Sequence, residues 1–260
     1  SNIFKFSKKV EKKFNVNFKK NFNSLWNWSL KNNEVFWSEL WDFSDIKGEK
    51  GKRILDKNKI FYKNIFFPDA KLNFAENLIP LTSKEIAVFS LKENGTEDFI
   101  TWEELFSNVC KFSDYLIKTN IKKGDVVAAY VPNTIETIVA FLGSTKNGCI
   151  WSSCSPDFGP QGVIERFKQI EPKVLITCDH YYYNGKKINI LDNVEIITKS
   201  IPSIQKVIVF SYDNTKIDKK YLSYYDVLKN SKKDTNFQKF DFNHPVYILY
   251  SSGTTGTPKC

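Results

Sequence analysis

The residues whose types and spacing best suit chemistry lie together at positions 250–260, Tyr-Ser-Ser-Gly-Thr-Thr-Gly-Thr-Pro-Lys-Cys. A run that reads as a buried strand, Val246 to Tyr250, leads straight into them. Such a loop suits a polyphosphate. Gly253 and Gly256 let backbone N–H groups turn toward an anion without interference from a Cβ. Ser251, Ser252, Thr254, Thr255 and Thr257 supply neutral donors, and Lys259 adds a point charge. The pattern is not a Walker A loop, because only two residues separate the glycines and Pro258 precedes Lys259. A polar turn after an edge strand is the plain alternative, since Gly, Ser and Thr are ordinary turn residues.

The remaining reactive side chains are scattered. His180 and His244 are far apart in sequence and neither has a partner at catalytic spacing. His180 sits among tyrosines and reads as packing; His244, before Pro245, reads as a strand-entry residue. The five cysteines, Cys110, Cys149, Cys154, Cys178 and Cys260, are odd in number and lack CxxC spacing. That argues against a disulfide framework and against a zinc site. All but Cys260 read as small buried hydrophobes in a reducing compartment. No acid–base dyad or metal-ligating cluster is expected in this segment.

Composition sets the outer bounds. The chain has 260 residues, 42% of them hydrophobic and 15% aromatic, which excludes a disordered polymer. Lys and Arg number 38 against 29 Asp and Glu, yet only Arg53 and Arg166 are arginines. Seven lysines fall in residues 1–20, so the body is nearly balanced. Nucleic-acid binding would call for Arg-rich clusters with interleaved aromatics across a face, and none is visible. Nothing after Ser1 resembles a signal peptide, and runs such as Val126 to Val131 are too short to cross a bilayer. These features point to a cytoplasmic protein without a membrane partner.

The elements that must carry the loop alternate between strand and helix. The first forty residues read as helical and aromatic-rich: Phe4, Phe6, Val10 and Phe14 recur at near-helical spacing, followed by Trp26, Trp28, Phe36, Trp37 and Trp41. Residues 44–60 read as a charged, solvated loop. Strands are expected at 86–91, 99–101, 126–131, 149–153, 173–177, 207–210 and 246–250. Helices are expected from Thr101 to about Lys118, from Thr134 onward, and from Gln161 to Ile170. Thr101 with Glu104 has capping-box spacing. Residues 211–243 are a polar, Lys-rich excursion. Strand and helix in alternation imply βαβ units, hence an α/β fold with a largely parallel sheet.

The string YSSGTTGTPK resembles the phosphate-binding signature of the adenylate-forming superfamily, which holds acyl-CoA synthetases, firefly luciferases and peptide-synthetase adenylation domains. Within it, WSSCSPDFG and YYYNGK, with FWSELWDFSDIKG and FFPDAKLNFAENL, are similar to the acetoacetyl-CoA synthetases, and the likeness spans the chain. The resemblance implies an N-terminal helical cap over 1–60 and a partial AMP-binding domain over 61–260. It implies acetoacetate, ATP with Mg²⁺, and CoA as substrates, joined through an acyl-adenylate. Ser251, Ser252, Gly253, Thr254, Thr255, Gly256 and Lys259 would then hold the ATP phosphates. In related acetyl-CoA synthetases arginines near the CoA nucleotide stand where this chain has Tyr183 and Lys186, so Lys186 is a candidate CoA contact and a solvated lysine is its alternative. Those relatives also carry Gly-Gly-Phe-Ser-Pro where this chain reads Pro156-Asp157-Phe158-Gly159-Pro160. Family members are longer and place their catalytic Lys in a C-terminal domain. The sequence therefore reads as a fragment, inactive alone and without a catalytic residue of its own. An acetyl- or propionyl-CoA synthetase stays open as an alternative, as does a non-catalytic nucleotide- or RNA-binding module.

Overall fold

The computed structural model describes residues 1–80, 83–213, 215–251, 256 and 258–260. The chain divides into two compact units, Ser1–Leu72 with Lys239–His244, and Asn73–Gln238 with Pro245–Cys260.

The first unit begins with α1 (Asn2–Phe14), α2 (Phe22–Lys31) and α3 (Asn33–Phe43). Phe6 and Val10 lie one turn apart on α1 and are both buried, whereas Phe4 is 45% exposed. Phe6 meets Phe36 and Phe43 of α3 edge-on, with centroids 5.6 and 5.3 Å apart. Ring quadrupoles favour that arrangement over face-to-face stacking. Glu39, buried on α3, pairs with Lys9 and Lys13. Part of the N-terminal lysine surplus is thus neutralised inside this unit. Residues 44–60 are not wholly loop: they hold the two-residue strands β1 (Gly48–Glu49) and β2 (Leu55–Asp56). These pair antiparallel with β4 (Lys71–Leu72) and β3 (Ile65–Phe66) respectively. Phe240–Asp241 returns from far along the chain to pair with the other side of β4. Pairings this short carry no sequence period, which is why the sequence does not announce them.

The second unit holds the alternation. After α4 (Phe74–Leu78), β5 (Ile86–Leu91) and β6 (Glu97–Thr101) form an antiparallel hairpin. Then α5 (Trp102–Lys118) starts with the expected capping box: the Glu104 N–H donates to Thr101 Oγ1 at 3.3 Å, and the Thr101 N–H to Glu104 Oε2 at 3.0 Å. Leu105, Val109, Phe112 and Leu116 are buried along its inner stripe. There follow β7 (Val126–Tyr130), α6 (Ile135–Lys146), β8 (Ile150–Cys154), α7 (Pro160–Phe167) and β9 (Val174–Cys178). The hairpin β10 (His180–Tyr183) and β11 (Lys186–Asn189), then α8 (Leu191–Ser200), β12 (Lys206–Phe210), β13 (Leu222–Ser223) and α9 (Tyr224–Lys229), complete it.

Among the described residues one five-stranded sheet runs β13-β12-β9-β7-β8, and every pairing in it is parallel. Every residue of β9 is buried, as expected of a parallel strand covered on both faces. The chain steps from β7 out to β8, then crosses back over β7 to β9. Open parallel sheets bind ligands beside such reversals, at the C-terminal ends of the strands.

Two expectations change. Residues 246–250 are not a buried strand: Tyr247 bridges to Trp151 in isolation, and Leu249 is 72% exposed. Among the described residues the segment's sheet neighbour is β8, and its residues alternate between half-buried and exposed. The helix expected to reach Ile170 ends at Phe167, leaving Gln169 in the turn beyond it.

Gly143 lets α6 press onto α5. A Cβ there would lie 2.9 Å from Phe112 Cδ1 and 3.1 Å from the Val109 carbonyl oxygen. Helix propensity alone favours Ala over Gly by about 1 kcal/mol. We expect Gly143→Ala to destabilise all the same, by roughly 1–3 kcal/mol of overpacking. Urea denaturation measures the sign, and a raised midpoint would mean that α5 yields.

Candidate functional site

The loop that sequence singles out is mounted on the outer edge of β8. The Trp151 N–H donates to the Val246 carbonyl at 3.0 Å, and the Ile248 N–H to the Trp151 carbonyl at 2.8 Å. Side chains reinforce the seam: Ser152 Oγ donates to the Ile248 carbonyl at 3.0 Å, and Ser153 Oγ meets the Tyr247 hydroxyl at 2.6 Å. Tyr250 Oη then donates to the Arg166 carbonyl at the end of α7, at 3.2 Å.

From there the chain closes on itself. The Ser251 N–H donates to the Lys259 carbonyl at 3.0 Å and the Lys259 N–H to the Ser251 carbonyl at 3.2 Å. Ser251 and Lys259 thus form an antiparallel bridge. Gln169 holds the exit, its Nε2 donating to the Pro258 carbonyl at 2.7 Å while Cys260 Sγ donates to its Oε1 at 3.5 Å. Gly256 has φ 104, in the range that favours glycine, with open space where a Cβ would stand. The bridge therefore places Ser251 and Lys259 together. Ser252, Gly253, Thr254, Thr255 and Thr257 lie outside the described residues.

Beside the base of the loop is a cleft of about 390 Å³, lined by Ser153, Cys154, Ser155, Phe158, Arg166 and residues 248–250. Its far wall is held from beneath. Tyr130, buried at the C-terminal end of β7, donates its hydroxyl to the carbonyls of Pro156 (2.9 Å) and Phe158 (2.7 Å). Burial pushes the Cys154 thiol up to about 11, against the opposing pull of the Arg166 charge. Burial likewise takes the Tyr250 phenol up to about 12. Both stay neutral at physiological pH.

Lys186 lies elsewhere. It opens β11 opposite Tyr183 across a two-residue turn, Asn184–Gly185, with φ 49 and 71. Asn-Gly is the pair a type I′ hairpin favours, a signal in the sequence that goes unread without the strands around it. Lys186 is exposed, and among the described residues no hydrogen bond or ion pair joins it to the loop. His180 anchors that hairpin. It is buried, with Asp179 Oδ1 2.8 Å from Nδ1 and Asp213 Oδ2 2.9 Å from Nε2. Burial raises the Asp213 carboxyl, but hydrogen bonds from His180 and Tyr182 outweigh it and hold the group below its ordinary range. His244 lies tilted against Phe240 with centroids 5.5 Å apart, in the first unit.

The sequence did not single out Arg166, Tyr130 or Gln169. For Arg166 a signal existed, since it is one of only two arginines beside 36 lysines. For the others there was none, because each acts on a backbone carbonyl 26 or more residues away. Among the described residues there is no group of three or more His, Cys, Asp or Glu placed to hold a metal ion. Nor does any described helix have the length and apolarity to cross a membrane.

A five-stranded parallel sheet thus carries, on the outer side of β8, a segment that leads into a hydroxyl- and glycine-rich sequence. Residues 81–260 match the AMP-binding enzyme family, and the chain belongs to it. Within that family its similarity runs to acetoacetyl-CoA synthetases. The protein of that name from Rhizobium meliloti (strain 1021) is 37% identical over 243 residues, covering 92% of this chain and 37% of the relative. That of Xenopus tropicalis is 38% identical over 256 residues, 92% of this chain and 38% of the relative. The malonamoyl-CoA synthetase of Penicillium aethiopicum is 33% identical over 280 residues. The solved acetoacetyl-CoA synthetase from Streptomyces lividans superposes with a TM-score of 0.92 at 29% identity, covering 99% of this chain and 40% of that one. The chain thus spans under two-fifths of the length of the curated relatives named here.

Two outcomes follow. Tyr130→Phe leaves two carbonyls without their donor and should cost about 1–3 kcal/mol in chemical denaturation; an unchanged midpoint would mean water replaces the hydroxyl. Of the five thiols only Cys260 is exposed, and burial raises Cys149 to about 12 and Cys154 to about 11. Because those thiols stay protonated at pH 8, a thiol reagent should label one cysteine rapidly in the native chain, and mass spectrometry should find it at Cys260.

Proposed function

We propose that this chain is the phosphate-gripping part of an acetoacetyl-CoA synthetase. The observation that carries the reading is the Ser251–Lys259 bridge, which brings together the two ends of a Gly-, Ser- and Thr-rich sequence that follows the segment paired with β8. Similarity over nine-tenths of the chain to proteins of that name supplies the substrate class.

In the proposed reaction the acetoacetate carboxylate attacks the α-phosphate of ATP. The bond to the bridging oxygen breaks, and pyrophosphate leaves with the electron pair. The CoA thiol then attacks the acyl-adenylate, giving thioester and AMP. The protein's task in the first half is positioning and charge neutralisation. Ser251, Ser252, Gly253, Thr254, Thr255 and Gly256 would hold the departing pyrophosphate by hydroxyl and backbone N–H, and Lys259 would offset its charge. Mg²⁺ would arrive with the nucleotide's phosphates. Lys186, exposed at the hairpin, would meet an anionic group of CoA. The unpaired, buried Cys110, Cys149, Cys154 and Cys178 suit a reducing compartment, and we assign the reaction to the cytoplasm. We assign to these 260 residues nucleotide binding rather than turnover, since the relatives use a much longer chain.

Isothermal titration of the purified chain with Mg·ATP tests the loop. Lys259→Gln should weaken binding by about tenfold, the loss of one charge-assisted contact. Equal affinities would remove Lys259 from the site. ATP–pyrophosphate exchange, measured on a chain extended to the relatives' length, tests the acid: acetoacetate should support it better than acetate, propionate or malonamate, and a preference for one of those would reassign the acyl group.

A further inference from the structure

The two arginines of this chain are used in opposite ways. Arg53 is saturated: its Nε donates to both carboxylate oxygens of Asp69, at 3.1 and 3.2 Å, and its Nη1 to Asp56 at 2.9 Å. Arg166 has no carboxylate within ion-pair distance among the described residues. Its Nη1 donates to the Gly162 carbonyl of its own helix at 2.7 Å. The guanidinium carbon lies 4.4 Å from the centroid of the Phe158 ring and 5.9 Å from that of Tyr250. One donor of five is occupied, and the plane is held by aromatic rings.

That guanidinium lines the cleft of about 390 Å³ beside the loop, and it is the one charged side chain among the described residues lining it. The adjacent acid, Glu165, accepts from Gln161 Nε2 at 3.0 Å, and Asp157 accepts from the Ser155 hydroxyl at 2.8 Å. Ser153 is likewise committed to Tyr247. A half-buried cation without a counter-ion, over an apolar floor of Phe158, Ile248 and Tyr250, is a receptor for an anion. Tyr250 immediately precedes Ser251, so an anion taken up there lies beside the entrance of the loop.

We infer that Arg166 receives an oxyanion of the ligand, a phosphate or carboxylate oxygen, through the open N–H groups of a guanidinium kept flat against Phe158. The inference rests on reading the adjoining loop as a nucleotide-phosphate site. It adds a binding residue supplied by α7, outside the loop.

The test is titration of the purified chain, wild type, Arg166→Lys and Arg166→Gln, with inorganic pyrophosphate, acetoacetate and adenosine at low ionic strength. Arg166→Gln should weaken one anion by about tenfold or more, with Arg166→Lys intermediate and adenosine unchanged. A loss confined to pyrophosphate assigns the oxyanion to the nucleotide; a loss confined to acetoacetate assigns it to the acid. Both anions binding Arg166→Gln as tightly as wild type would overturn the inference and leave the loop reading standing. Wild type binding neither anion would overturn both. Should Arg166→Gln fail to fold by thermal melting, wild type against Arg166→Lys decides: the loss of the planar fork should still weaken the anion severalfold, and equal affinity refutes the role.

Discussion

Two backbone hydrogen bonds at Trp151 carry the candidate site. By accepting from Ile248 and donating to Val246, this one residue of β8 fixes the segment that feeds the loop. Trp151 can do so because it is itself locked, 2% exposed and packed against Phe141. The rigidity of the parallel sheet is thereby passed to a strip that has a sheet neighbour on one side. Sites built from strands hold geometry better than sites built from free loops. Here the segment that leads into the loop is stitched to the sheet at Trp151.

Helix α7 and the turn after it add a second fastening. Tyr250 bonds the Arg166 carbonyl, and Gln169 bonds the Pro258 carbonyl, so both feet of the loop meet the same short stretch of chain. Tyr130 holds the opposite wall from under the sheet. Most of these contacts address backbone carbonyls. Such a frame tolerates varied side chains in the loop while fixing where it begins and ends.

Charge is distributed to match. Near the N-terminus Lys9 and Lys13 answer to Glu39, and Arg53 answers to Asp56 and Asp69. The net +9 is therefore no measure of a polyanion partner. Around the hairpin, Asp213 collects His180, Tyr182 and Lys187 into a local network. Two cations of the second unit stand beside the loop: Arg166 at the cleft and Lys259 at the bridge to Ser251.

Much of this was legible in the residues. The strand at 86–91, the Thr101 capping box and the buried stripe of α5 follow from local period and cap chemistry, whose partners lie within a few positions. The motif at 250–259 was legible as a candidate phosphate loop because the whole string, and not its residue types alone, resembles the adenylate-forming signature. The pairing of 240–241 with 71–72, the exposure of 246–250, the reach of Tyr130 to Pro156 and the open guanidinium of Arg166 were not legible. Each depends on which segments become neighbours across tens of residues. Hydrophobic period tells a strand that it is buried; it does not tell it how many neighbours it will have, and that number separates β9 at the centre of the sheet from the strip at its edge.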